Sequence, residues 1–116
     1  MTNKTKRQAA AIKLFEAKTT AETAATMAIN AKTAKNAKAA AKTAAFAEVE
    51  ARAQHAILET LLQKEFEALN DNDEKAAEDL SEAQEKAREF LTEAIIAATR
   101  AHKAMTRAIY NEAKNA

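Results

Sequence analysis

The 116-residue chain contains neither glycine nor proline, so the two residues that most readily end a helix are absent at every position. The remaining composition favours helix. By count, 33 residues are Ala, the strongest intrinsic helix former, and Lys, Glu, Gln and Leu supply much of the rest. These choices predict an all-α protein. A reversal must come from other chemistry, and the stretch Leu69-Asn70-Asp71-Asn72-Asp73-Glu74 supplies it. Asn and Asp side chains bond nearby backbone N–H groups, tolerate non-helical dihedrals and cap the following helix, so four in succession mark one helix end and the next start. The Asp71 to Glu74 spacing fits a capping box, with both carboxylates placed against the positive end of the following helix dipole.

The pattern predicts one helical domain over residues 1–116: a helix over about 3–69, a turn at 70–73 and a helix over about 73–114, forming a long antiparallel hairpin. At 1.5 Å per residue the arms would be about 100 and about 60 Å long. The N-terminal excess of the first arm then has no partner within the chain. Either a second copy covers it, or the first helix breaks, near Ile29 to Asn36 or at Thr19, where Thr19-x-x-Glu22 is a possible capping box. A break gives a three-helix bundle. Because neither place contains Gly or Pro, a continuous or bent helix is the expectation and the three-helix bundle the alternative.

Apolar spacing supports coiled-coil-style association. Leu14, Ala17, Ala21, Ala24, Ala28 and Ala31 alternate steps of three and four. Thr19, Thr23, Thr26, Asn30 and Thr33 form a polar stripe opposite them. Phe46, Val49, Ile57 and Leu61 lie on a wider apolar face that calls for two neighbours, and Leu80, Phe90 and Met105 mark the seam of the last helix. A buried Leu, Ile or Phe contributes about 1.5–3 kcal/mol, a methylene-sized group about 0.8. The turn-proximal part is therefore expected to be the stable one, and the Ala-lined part to need close helix approach or a homo-oligomeric partner.

Net charge is +1, but residues 1–45 carry nine basic against two acidic side chains, 46–93 five against fourteen, and 94–116 four against one. A hairpin folded at residue 70 would be a rod with an acidic tip and a basic far end, suited to staggered or antiparallel association.

Catalytic and metal chemistry find little support. The chain lacks Cys, which excludes disulfides and thiolate sites, and lacks the Gly that a phosphate-binding loop requires. His55 and His102 would stand about 20 Å apart in the hairpin, and neither has the Glu-x-x-His spacing of carboxylate-bridged metal bundles. His55 with Glu59 reads as a surface ion pair. Asp71, Asp73, Glu74 and Glu78 lack the Gly of a calcium loop and read as turn and cap. Ser81, the single serine, lies in an acidic helical stretch. No enzyme activity, cofactor or metal is implied. No apolar run approaches the roughly 18 residues of a membrane span, and the start at Lys4, Lys6 and Arg7 reads as an uncleaved, cytoplasmic helix.

Lys32, Lys35, Lys38 and Lys42 fall on one helix side and could track phosphates. Their segment, AKTAKNAKAAAK, resembles the Ala/Lys tails of linker-histone-like proteins. The segment LLQKEFEALNDNDE resembles the bend of small plasmid RNA-regulating hairpins that dimerise into four-helix bundles. Amphipathicity with basic flanks resembles phasin-like or apolipoprotein-like helices, which implies a lipid surface. The functional expectation is a non-enzymatic structural or assembly protein that self-associates through its Ala-rich seams and charge-polar ends. Nucleic-acid binding or packaging by the basic end is the first alternative, and coating of a membrane or lipid surface the second.

Overall fold

The computed structural model describes residues 2–116 and consists of three helices: α1 (Asn3–Asn30), α2 (Ala34–Glu67) and α3 (Glu74–Asn115). No strand occurs among the described residues. Each helix packs against both others, giving an up-down-up bundle of 68 × 23 × 15 Å. The 42 residues of α3 span about 63 Å, nearly the whole rod, and the other two helices lie along it.

The all-helical expectation holds, but the continuous helix over 3–69 does not: the chain reverses at Ala31, Lys32 and Thr33. The alternative break near Ile29 to Asn36 is the one taken, whereas α1 passes through Thr19 uninterrupted. Thr33 has extended backbone (φ −129°, ψ 152°), and its hydroxyl accepts from the Asn36 N–H at 3.2 Å. From the far end of α3, the Glu112 carboxylate accepts from the Ala34 N–H. An anion is thereby placed at the positive end of the α2 dipole. Two side chains thus start α2 without Gly or Pro, while α1 ends on a backbone bond from the Ala31 N–H to the Ala28 carbonyl.

The second reversal lies where the Asn/Asp run predicts, at residues 68–73. Its bonding differs from a capping box. The N-cap is Asp73, not Asp71, and its carboxylate accepts from the Asn70 N–H at 3.0 Å instead of bonding to the helix it precedes. The carboxylate stabilises the turn itself.

The core contains seventeen buried Ala and five buried Leu. All five Leu (Leu14, Leu58, Leu61, Leu62 and Leu80) lie in the half of the rod around the 68–73 turn. The other half is lined by Ala17, Ala21, Ala24, Ala25 and Ala28 of α1, Ala37 to Ala47 of α2 and Ala94 to Ala101 of α3. Each of those methyls stabilises by about 0.8 kcal/mol against 1.5–3 for a buried Leu. Small side chains let the helix axes approach closely, which the thin cross-section reflects.

Hydrogen exchange should therefore be slowest at Leu58 to Leu62 and faster by orders of magnitude in residues 92–115. Uniform protection along α3 would contradict the two-part core. Leu62→Ala should cost about 2–5 kcal/mol of unfolding free energy by denaturant titration. At Ala44, which is fully buried, the opposite change to Leu should cost about 1–3 kcal/mol through overpacking. Thr33→Ala should cost about 1 kcal/mol.

Candidate interaction surfaces

The structure divides the seam residues into two groups. Leu14, Ala17, Ala21, Ala24, Ala28, Leu61 and Leu80 are buried among the three helices of one chain, and Ala31, Phe90 and Met105 are partly buried there. Because α2 folds back along α1, the Ala seam is covered without a second copy. Phe46, Val49 and Ile57 point the other way, with 64%, 64% and 49% of their surface exposed. With exposed Ala53 between them they form an apolar stripe along the outer side of α2.

Lys35, Lys38 and Lys42 continue that outer side toward the start of α2, and all are exposed. The Lys42 ammonium lies 5.8 Å from the centre of the Phe46 ring, a cation–π contact joining the basic and apolar sections. Lys32 is separated from this row: it sits in the bend, beside Ala108, Asn111 and Asn115 of α3.

Folding at residues 31–33 also alters the charge layout. The basic N-terminal segment, instead of extending past the bundle, lies along the acidic end. There the Arg7 guanidinium donates to both oxygens of Glu65, at 2.6 and 3.4 Å. Polarity is reduced but persists. Residues 2–16 and 50–91, around the 68–73 turn, carry nine basic against thirteen acidic side chains, and residues 17–49 and 92–116 carry nine against four. Among the described residues, none of Lys32, Lys35, Lys38, Lys42, Arg100, Lys103, Arg107 and Lys114 forms an ion pair. Arg100, Lys103, Arg107 and Lys114 make a second exposed row, on α3. Their steps of three, four and seven were available in the sequence as a heptad signal, and so was the placing of Glu112, the one acidic residue of that stretch, off their side of the helix.

Between α1 and α2, Thr19, Thr20, Thr23, Met27, Asn30 and Thr43 line an open groove of about 870 Å³. The Thr26 hydroxyl donates to the Glu22 carbonyl and the Thr43 hydroxyl to the Ala39 carbonyl. These polar atoms are engaged by their own helices. Thr19, Thr23, Thr26 and Asn30 of the expected polar stripe thus form a groove wall, and Thr33 caps α2 instead.

Elsewhere the titratable groups act in structure. His55 Nε2 lies 3.4 Å from a Glu59 oxygen without hydrogen-bond alignment. Among the described residues no group of His, Asp or Glu side chains converges as metal ligands would, and no helix is long and apolar enough to cross a membrane. Lys18 is the most connected cation. Its ammonium lies 3.0 Å from Glu93 and 3.1 Å from Glu22, and 5.3 and 5.7 Å from the Phe15 and Phe90 ring centres. Those rings meet edge-on at 5.3 Å, locking α1 to α3. Hydrogen bonding to Glu93, then to Glu22, holds Lys18 above the ordinary lysine value of 10.5, against a smaller opposing effect of burial.

A group whose folded-state pKa is raised stabilises the fold fully below its unfolded value and loses that contribution as pH rises through the folded value. The difference in melting temperature between the native chain and Lys18→Met should hold constant up to about pH 10 and shrink above it. A difference independent of pH would contradict the assignment.

Compared with known proteins, the chain matches no protein-family model, no curated protein and no solved structure.

Proposed function

We propose that this protein is a non-enzymatic assembly module whose three-helix rod pairs with a second copy through the outer side of α2. The observation that carries this reading is the position of the apolar stripe. Phe46, Val49, Ala53 and Ile57 are centred on Ala51 and Arg52, and the midpoint of α2 falls between Glu50 and Ala51. A stripe at the middle of a helix is self-complementary under a two-fold axis. Two antiparallel copies then set Phe46 of each against Ile57 of the other, and Val49 against Ala53. The same operation brings the basic half of one rod beside the acidic half of the next, so the apolar contact and the charge layout favour one arrangement. A long face of the rod, 68 by 23 Å, is larger than the roughly 800 Å² that each partner contributes to a standard interface. In this reading the apolar stripe supplies affinity and the charges set register. The Ala seams serve the monomer fold.

Sedimentation equilibrium at micromolar concentration should give a dimer or higher species whose dissociation constant rises several-fold between about 0.05 and about 0.5 M salt, as the charge contribution is screened. The double variant Phe46→Ser/Ile57→Ser should be monomeric with unchanged helicity, because both side chains are exposed in the monomer. Since the chain has no Cys, single-cysteine variants report the orientation cleanly. A short bis-maleimide should cross-link Ala53→Cys, whose two thiols stand about 6 Å apart along the paired helices, and should not cross-link Lys35→Cys, far from the axis. Efficient linkage at both positions would indicate parallel pairing. A monomeric native chain in low salt would remove the reading.

A further inference from the structure

We propose that the outer side of α3 from Arg100 to Lys114 binds the phosphate backbone of single-stranded nucleic acid. Arg100, Lys103, Arg107 and Lys114 recur at steps of three, four and seven, which keeps them on one side of a helix with 3.6 residues per turn. All four are exposed, and none is neutralised by an ion pair among the described residues. The row is about 21 Å long. Beyond Glu93 the only acidic residue of α3 is Glu112, and its carboxylate accepts from the Ala34 N–H at the start of α2. Glu112 also stands five residues after Arg107 and two before Lys114, spacings that put it off the row's side of the helix. Favourable interaction with the C-terminal helix dipole accounts for Lys114 alone, because that effect fades within the last turn; Arg100, Lys103 and Arg107 lie further back.

Tyr110 lies within the row, three residues after Arg107 and four before Lys114, with 65% of its surface exposed. An exposed ring among unpaired cations is the combination that binds single strands: the cations follow the backbone, and the ring stacks on a base that a duplex would hold in its own stack. Lys32 and the amides of Asn111 and Asn115, grouped at the same end, add donors for phosphate oxygens. A lipid surface fits less well. An interfacial helix has to insert an apolar side, and that of α3, from Leu80 through Ala101, is buried in the bundle. The α3 row is separate from the α2 stripe, so pairing through α2 leaves it open.

The test is fluorescence anisotropy with labelled oligo(dT), the same length of duplex DNA, and phosphatidylglycerol vesicles, using the full chain. Oligo(dT) should bind, with affinity falling about 50-fold between about 50 and about 200 mM salt if four phosphates are neutralised. The fourfold variant Arg100→Gln, Lys103→Gln, Arg107→Gln and Lys114→Gln should lose binding while keeping native helicity. Tyr110→Ala should weaken binding about tenfold. The monomeric Phe46→Ser/Ile57→Ser variant should bind oligo(dT) as the native chain does per protomer, so failure of the pairing reading leaves this one standing. Any of four results overturns the proposal: no binding of oligo(dT) at low salt, unchanged affinity in the fourfold or the Tyr110 variant, duplex binding as tight as single-strand binding, or vesicle binding as tight at equal phosphate.

Discussion

An Ala methyl withdrawn from water stabilises a fold by only about 0.8 kcal/mol, so a seam built from Ala has to be covered closely and on more than one side to hold a helix in place. That constraint shapes this molecule. Seventeen of its buried apolar residues are Ala, and a two-helix hairpin would have left much of α1 with no neighbour. Reversing at Ala31 to Thr33 interrupts the backbone ladder for three residues, satisfies it again with Thr33 and Glu112, and gives α1 two neighbours. The rod is consequently asymmetric along its length. Leu58, Leu61, Leu62, Leu14 and Leu80 anchor the end near residue 70, and close-packed methyls hold the other.

Charge follows the same geometry. The N-terminal basic residues lie against the acidic end of the rod, where Arg7 meets Glu65, and Lys18 reaches Glu93 across the Phe15–Phe90 contact. The ion pairs between helices, Arg7–Glu65, Lys18–Glu93 and Arg88–Glu59, lie near that end and the middle. At the far end eight cations have no such partner among the described residues, which preserves the electrical polarity and leaves two basic rows on separate helices. Exposed pairs contribute little to stability, so this distribution shapes the field around the rod more than its folding free energy. The α2 side combines apolar and basic sections, the α3 side cations and one aromatic ring.

Much of the fold was legible in the sequence for local reasons. Helix in the absence of Gly and Pro follows from propensity, and the turn at 68–73 follows from Asn and Asp competing with the helix backbone; both act within a few residues. α3 begins at Glu74 and ends at Asn115, beside the bounds of about 73 and 114 expected from the Asn/Asp run and the absence of a later breaker. The candidate surfaces were only partly legible. Lys35, Lys38 and Lys42 share a side as their spacing predicts, but Phe46, Val49 and Ile57 were grouped with seam residues that proved to be core. Heptad spacing identifies which residues share a side, without saying whether that side meets the same chain.

The sequence by itself determined that the chain is helical, where its acidic turn lies, and which residues share each helix side, because these depend on propensity and on the 3.6-residue period. Only the tertiary structure decided the break at Ala31 to Thr33 and the enclosure of the Ala seam. The reason is distance along the chain: Glu112 acts on Ala34 across 78 residues and Arg7 on Glu65 across 58, and whether a methyl is buried depends on all three helices at once.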